Sequence, residues 1–130
     1  MKRHVTYLHM DTLYQEEILD HYHEPRHFGD VVPCDFSKTG FNPLCGDTVR
    51  ISGRVKGGKV VDIGFTAKGC AISIAAASML MEYVRGRPIA MVRTMQGPDM
   101  LKLVGVSLSP SRVTCGLLAW DTLEEALHER

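Results

Sequence analysis

The sequence lacks most of the features that place a small protein at a glance. It has no excess of either charge: fifteen basic and fifteen acidic residues leave a formal net charge of zero. The basic stripe that grips a phosphate backbone is therefore absent, and no nucleic-acid partner is expected. It has no long apolar run either. The longest, 71–84, is interrupted by Ser73, Ser78 and Glu82, so no membrane span is expected. The first nine residues, Met1 to His9, lack the apolar stretch of a secretory signal. Cysteine is scarce, with four in 130 residues and no CxxC pair. That is far below the density of a disulfide-stapled secreted domain. The expected protein is cytoplasmic, with reduced thiols available for metal or sulfur chemistry.

What is present is a globular composition. A hydrophobic fraction of 45% over 130 residues is enough for one domain, 1–130, with an ordinary core. Thr12 and Gln15 have the spacing of a capping box, and Tyr14, Ile18 and Tyr22 recur every four residues, which predicts a first helix over 12–23. Pro25 and Gly29 end it. Val49, Ile51, Gly53 and Val55 alternate with polar residues, the period of a half-buried strand. Gly57-Gly58 marks a hairpin turn, and the return strand, 60–67, is read with Val61, Ile63 and Phe65 on one face. A shorter edge strand is expected over 36–40. After Cys70 an Ala-, Ile- and Met-rich stretch predicts a buried helix reaching Tyr83 or Val84, closed by Gly86 and Pro88. Shorter helices are expected over 89–95 and 98–103. A last helix is expected to run from Ser111 as N-cap to His128, with Val113, Leu117, Trp120 and Leu127 on its inner side. The fold class is α+β: a small three-stranded antiparallel sheet packed against about four to six helices.

Three segments carry side chains with chemistry. Asn42-Pro43-Leu44-Cys45-Gly46-Asp47 reads as a turn before a strand, which displays side chains at a rigid sheet edge. Lys68-Gly69-Cys70 puts a thiol at a helix N-terminus, where free N–H groups favour a thiolate. Arg112-Val113-Thr114-Cys115-Gly116 puts another in what is read as the first turn of the last helix, with the same consequence. Each cysteine also has a plain structural reading, as a small apolar residue at a turn or helix start. Taken together, three thiolates and the Asp47 carboxylate make a four-donor set suited to Zn²⁺ or to the iron of a cluster. An oxygen among sulfur donors makes such a site more labile.

These segments resemble the three cysteine motifs of the SufU/IscU family of iron–sulfur cluster assembly proteins. The residues concerned are Asn42 to Asp47, then Gly69-Cys70-Ala71-Ile72-Ser73, then Cys115-Gly116-Leu117-Leu118-Ala119-Trp120. Leu13-Tyr14, Ile18-Leu19-Asp20-His21-Tyr22 and Pro25-Arg26-His27-Phe28-Gly29 are similar to that family's N-terminal helix and loop. The resemblance implies a SufE/NifU-like fold. It also implies Cys45, Asp47, Cys70 and Cys115 as ligands of a transient [2Fe–2S] or [4Fe–4S] cluster, with Zn²⁺ as an alternative occupant. Cys115 would be a sulfur acceptor, and Asp47 the ligand that lets a finished cluster leave. A cysteine desulfurase and acceptor apoproteins would be the partners, and the chain a monomer or weak homo-oligomer. Such a chain is a scaffold rather than an enzyme. The alternative is a zinc-dependent sulfurtransferase that accepts persulfide sulfur from a SufS-type desulfurase. A purely structural zinc staple is disfavoured, because an aspartate beside an exposed turn is an unusual ligand for a closed site.

The chain also departs from the family. IscU-type scaffolds carry a His directly before the third cysteine, where this chain has Thr114. Their Leu-Pro-Pro-Val-Lys chaperone segment reads Leu108-Ser109-Pro110-Ser111-Arg112-Val113 here, so no dedicated Hsp70 partner is expected. The wording around Cys70 and Trp120 sides with SufU, yet only 44 residues separate Cys70 from Cys115, where SufU proteins usually carry an insertion. Cys34 matches no ligand position and is read as a loop thiol. His21, His23 and His27 are read as a polar surface.

Overall fold

The computed structural model describes residues 15–129. The expected capping box and the Tyr14 end of the first stripe rest on Thr12 and Tyr14, which lie outside that range. From 15 to 23 the chain is helical (α1). Three strands follow: β1 Phe36–Asn42, β2 Asp47–Lys56 and β3 Lys59–Lys68, antiparallel in the order β1-β2-β3. The helices α2 Ala71–Val84, α3 Ile89–Arg93, α4 Gly97–Val104 and α5 Pro110–His128 complete the described chain. None of the described helices is long and apolar enough to cross a membrane.

The sheet carries α2 and α5 against it, and Ile51, Ile63, Phe65, Leu80, Met81, Leu123 and Leu127 are almost wholly buried in this core. Its Ala75-Ala76-Ala77 run, all buried, lets α2 sit deep in the molecule, so the expected buried helix is present. The β2–β3 hairpin forms as the alternation predicts, with Gly57 and Gly58 at φ 59° and 75°, a left-handed pair that glycine adopts without strain.

One face assignment fails. Val60, not Val61, is buried, and Val61 is 40% exposed. The register slips between Arg54 and Val55, so that Arg54 pairs with Asp62 but Val55 with Val60. The unpaired Val61 is a bulge, and one extra residue reverses the in–out alternation beyond it.

The last helix starts two residues earlier than expected, at Pro110 with Ser109 rather than Ser111 as N-cap. Its buried face is Leu118, Ala119, Thr122, Leu123, Ala126 and Leu127, while Val113, Leu117 and Trp120 are only half-buried. The expected stripe is therefore rotated. Leu117 and Trp120 flank the core at the α3–α4 connection, where Trp120 Nε1 donates to the Met95 carbonyl at 3.3 Å.

The α1 stripe is also rotated. Ile18 is buried, Tyr22 is exposed, and the second inward residue is His21. The reading of His21 as surface is thus corrected, whereas His23 is exposed as expected. The His21 ring Nδ1 lies 2.7 Å from Ser78 Oγ on α2, and the same hydroxyl oxygen accepts the Arg26 N–H at 2.8 Å. The Ser78 proton is then free to go to an unprotonated Nδ1. Burial, helped by the Arg26 charge, pushes the imidazole below its ordinary value, against the opposing pull of Glu82, Glu17 and Asp20. Because the folded value is the lower one, this stability is full above the free imidazole range and lost as pH falls through the folded value. A thermal melt series from about pH 7 to about pH 5 should show that loss, and His21→Asn should flatten it. An unaltered pH slope in the variant would remove His21 as the source.

After α1 the chain runs beside β3. Phe65 and the loop exchange two backbone bonds, Gly29 N to Phe65 O at 2.7 Å and Phe65 N to His27 O at 3.1 Å. Further along the same edge, the Val60 carbonyl accepts the Gly86 N–H. The outer edge of β3 is thereby occupied, and the hairpin is anchored at the end opposite the turn between β1 and β2.

Candidate metal centre

The turn between β1 and β2 is a four-residue hairpin loop, 43–46, closed by the pairing of Asn42 with Asp47. Gly46 at φ 75° supplies the left-handed residue, and its N–H returns to the Asn42 carbonyl at 2.8 Å. The Asn42 side-chain oxygen accepts the Leu44 N–H at 3.1 Å, an Asx turn. These bonds leave Cys45 exposed at the tip while Asp47, the first residue of β2, is buried.

Opposite stands the N-terminus of α2. Cys70 is its N-cap residue but its side chain makes no cap bond. Asp47 does the capping from the neighbouring strand. Its Oδ1 accepts the Cys70 N–H at 3.3 Å, and its Oδ2 accepts the Ser73 hydroxyl at 2.5 Å and faces Cys70 Sγ at 3.5 Å. Burial pushes this carboxyl up, but the bonds from Ser73, Cys115 and Cys70 outweigh it and hold it below the ordinary carboxylate value.

Gly69 makes the close approach possible. A Cβ there would lie 2.6 Å from the Asp47 carboxyl carbon and 2.7 Å from Oδ1. Gly69→Ala should displace Asp47 and cost about 1–3 kcal/mol of stability. An unchanged denaturation midpoint would show that Asp47 yields freely.

The third wall is α5. Cys115 is the sixth residue of that helix, not in its first turn, and only 1% of it is exposed. The expected thiolate there is corrected: the free N–H groups lie a turn away, and burial, with the Cys45 and Cys70 thiols beside it, pushes the Cys115 thiol up to about 12. Cys70 does stand at a helix start, as expected.

Three of the four expected donors lie together. Cys45 Sγ and Cys115 Sγ lie 3.3 Å apart, and donor atoms of Cys45, Asp47 and Cys115 all fall within 4.8 Å of one another. Cys70 joins through Asp47. All four line an open cleft of about 600 Å³, with Lys68 and Arg112 on its walls. Cys34 is exposed in the loop before β1 and does not line this cleft. Three soft sulfurs and one oxygen, reached from a turn, a helix start and a second helix, fit a thiophilic metal, and the open mouth fits one that must come and go.

Two residues beside the donors had no assigned role in the sequence, Asn42 and Ser73. Both sit inside the cysteine motifs, and their spacing to Cys45 and Cys70 is the only signal they carry there.

A small α+β domain that gathers three cysteines and an aspartate at one end of its sheet defines a metal- or cluster-handling class. A family model described as the NifU-like N terminal domain matches residues 13–129, and the chain belongs to that family. It is 35% identical to the zinc-dependent sulfurtransferase SufU of Bacillus subtilis (strain 168), over 91% of each chain. It is 32% identical to the iron–sulfur cluster assembly scaffold protein IscU 1 of Archaeoglobus fulgidus, covering 88% of this chain and 74% of that one. Among solved structures it resembles a putative iron–sulfur cluster assembly scaffold protein for the SUF system from Fervidobacterium islandicum AW-1. The TM-score is 0.76 at 30% identity, over 86% of this chain and 94% of that chain.

Proposed function

We propose that this protein is an iron–sulfur cluster assembly scaffold. It receives sulfur from a cysteine desulfurase together with iron, builds a transient cluster on Cys45, Asp47, Cys70 and Cys115, and passes it to acceptor apoproteins. The observation that carries this reading is the convergence of Cys45, Asp47 and Cys115, with Cys70 across the carboxylate, at the wall of an open cleft. Asp47 supports the release step. Both of its oxygens already serve the N-terminus of α2, so a metal bound there competes with two protein hydrogen bonds. A carboxylate oxygen is also a harder donor than a thiolate, so it holds a thiophilic metal less firmly than a fourth cysteine would.

The zinc-dependent sulfurtransferase reading is favoured by the similarity to the Bacillus relative over nearly the whole of both chains. It uses the same four residues, with Zn²⁺ as resident ion and Cys115 as the sulfur acceptor.

Anaerobic reconstitution with ferrous iron and sulfide, followed by visible absorption, separates the two. A scaffold develops cluster bands and hands them to an apo-ferredoxin. Tightly held zinc, no cluster band and strong stimulation of a desulfurase would instead establish the second reading and end the first.

A further inference from the structure

Asn42 is buried, yet the turn it caps uses only its carbonyl. Its two amide protons make no bond to the turn backbone. Nδ2 lies 3.2 Å from Cys45 Sγ, 3.2 Å from Thr114 Oγ1 and 3.9 Å from Cys115 Sγ. A residue required only for the turn needs a short side-chain oxygen, which serine or aspartate also supplies. A carboxylate at this position would set negative charge against two sulfurs. An amide is the uncharged side chain that caps the turn and still offers N–H groups on its far side.

Thr114 fixes which way that amide points. Its hydroxyl donates to the Ser111 carbonyl at 3.0 Å, so its oxygen is left to accept from Asn42. The chain thus places at 114 a side chain that orients the carboxamide.

We propose that Asn42 is a positioning residue for the Cys45–Cys115 sulfur pair. With one amide proton given to Thr114 Oγ1, the other is shared between Cys45 Sγ and the more distant Cys115 Sγ, and so holds the two sulfurs side by side across the gap between the β1–β2 turn and α5. It also draws charge from them, which weakens their donation to a bound metal. The pairing stands on the metal-free geometry alone, whereas the second effect rests on the metal reading above. Hydrogen bonds to ligating sulfur are an established lever on metal affinity and cluster potential.

Asn42→Ser keeps an oxygen for the Leu44 N–H but removes the amide and cannot reach Cys115. In metal-free protein treated with diamide, formation of the Cys45–Cys115 disulfide, mapped by mass spectrometry, should slow about five- to tenfold, because the sulfurs are no longer held in register. Alkylation of Cys34 should stay at the wild-type rate. In Co²⁺-loaded protein the thiolate-to-cobalt charge-transfer band should move to lower energy, a change that a loosened turn alone would not produce. Wild-type disulfide rate and band position in a folded Asn42→Ser protein would overturn the proposal. Should that variant not fold, Asn42→Thr keeps a hydroxyl oxygen for the cap without adding charge, and the same two readouts decide. Failure of the wild-type protein to take up Co²⁺ would count against the metal centre and leave the disulfide rate to judge Asn42.

Discussion

Cys115→Ser should leave the protein unable to retain zinc or iron after brief exposure to a chelator. Cys115 is the donor that draws α5 into the centre, 3.3 Å from Cys45 Sγ and almost wholly buried. Serine offers a hard hydroxyl that does not ionise in this range, so a thiophilic metal loses one of three sulfurs and gains nothing. Changes to groups merely behind a ligand cost about 10–100-fold in affinity, and loss of the ligand itself should exceed about 100-fold. Metal content by mass spectrometry, with Cys34→Ser as the matched control, is the measurement. Cys34→Ser should keep the wild-type stoichiometry. A Cys115→Ser protein that also keeps it would remove α5 from the centre, and a Cys34→Ser protein that loses it would overturn the ligand set.

The second large effect is on folding. Gly40 lies on β1 opposite Val49, where α5 crosses the strand. A Cβ there would overlap Thr122 Oγ1 and stand 3.1 Å from Thr122 Cβ. The Thr122 hydroxyl is buried and tied to the Leu118 carbonyl at 2.8 Å, so it cannot swing aside without losing its bond. Gly40→Ala should therefore cost about 1–3 kcal/mol, at the upper end because β1 and α5 must separate. Since β1 ends at Asn42 and α5 carries Cys115, the same separation should loosen the centre. Thr122→Ala, which removes the obstructing oxygen, should restore much of the loss in the double variant. Urea denaturation of the four proteins of this cycle tests the point, and strict additivity would show that the two residues do not meet.

Much of the fold could be read from local pattern. Gly57-Gly58 announced the β2–β3 hairpin, and the apolar stretch after Cys70 announced α2, because both are set by residues adjacent in the chain. Local pattern misleads where strand pairing, a distant partner or a helix boundary decides. Strand alternation puts Val61 on the wrong face because it carries no mark of a bulge, which arises from how two strands pair. His21 reads as surface because a polar residue is expected outside, whereas Ser78, fifty-seven positions on, supplies the partner that makes its burial tolerable. Cys115 reads as a first-turn residue because Ser111 as N-cap makes it the fourth of the helix, whereas the N-cap at Ser109 makes it the sixth. Such an offset is small for the fold and decisive for the thiol, since the field of the free N–H groups fades within the first turn.

The centre divides along the same line. Local sequence alone tells which atoms are available: three thiols and a carboxylate, each beside a turn or near a helix start, in motifs specific enough to indicate the family. That they share one cleft is the work of tertiary folding, because 22 residues separate Asp47 from Cys70 and 44 separate Cys70 from Cys115. It also decided what each does before a metal arrives. Asp47 caps a helix on another part of the chain, Cys115 is a buried neutral thiol, and Asn42 faces the sulfur pair. Donor identity is a property of single residues, whereas donor strength depends on burial and on hydrogen-bond partners that folding brings from distant segments.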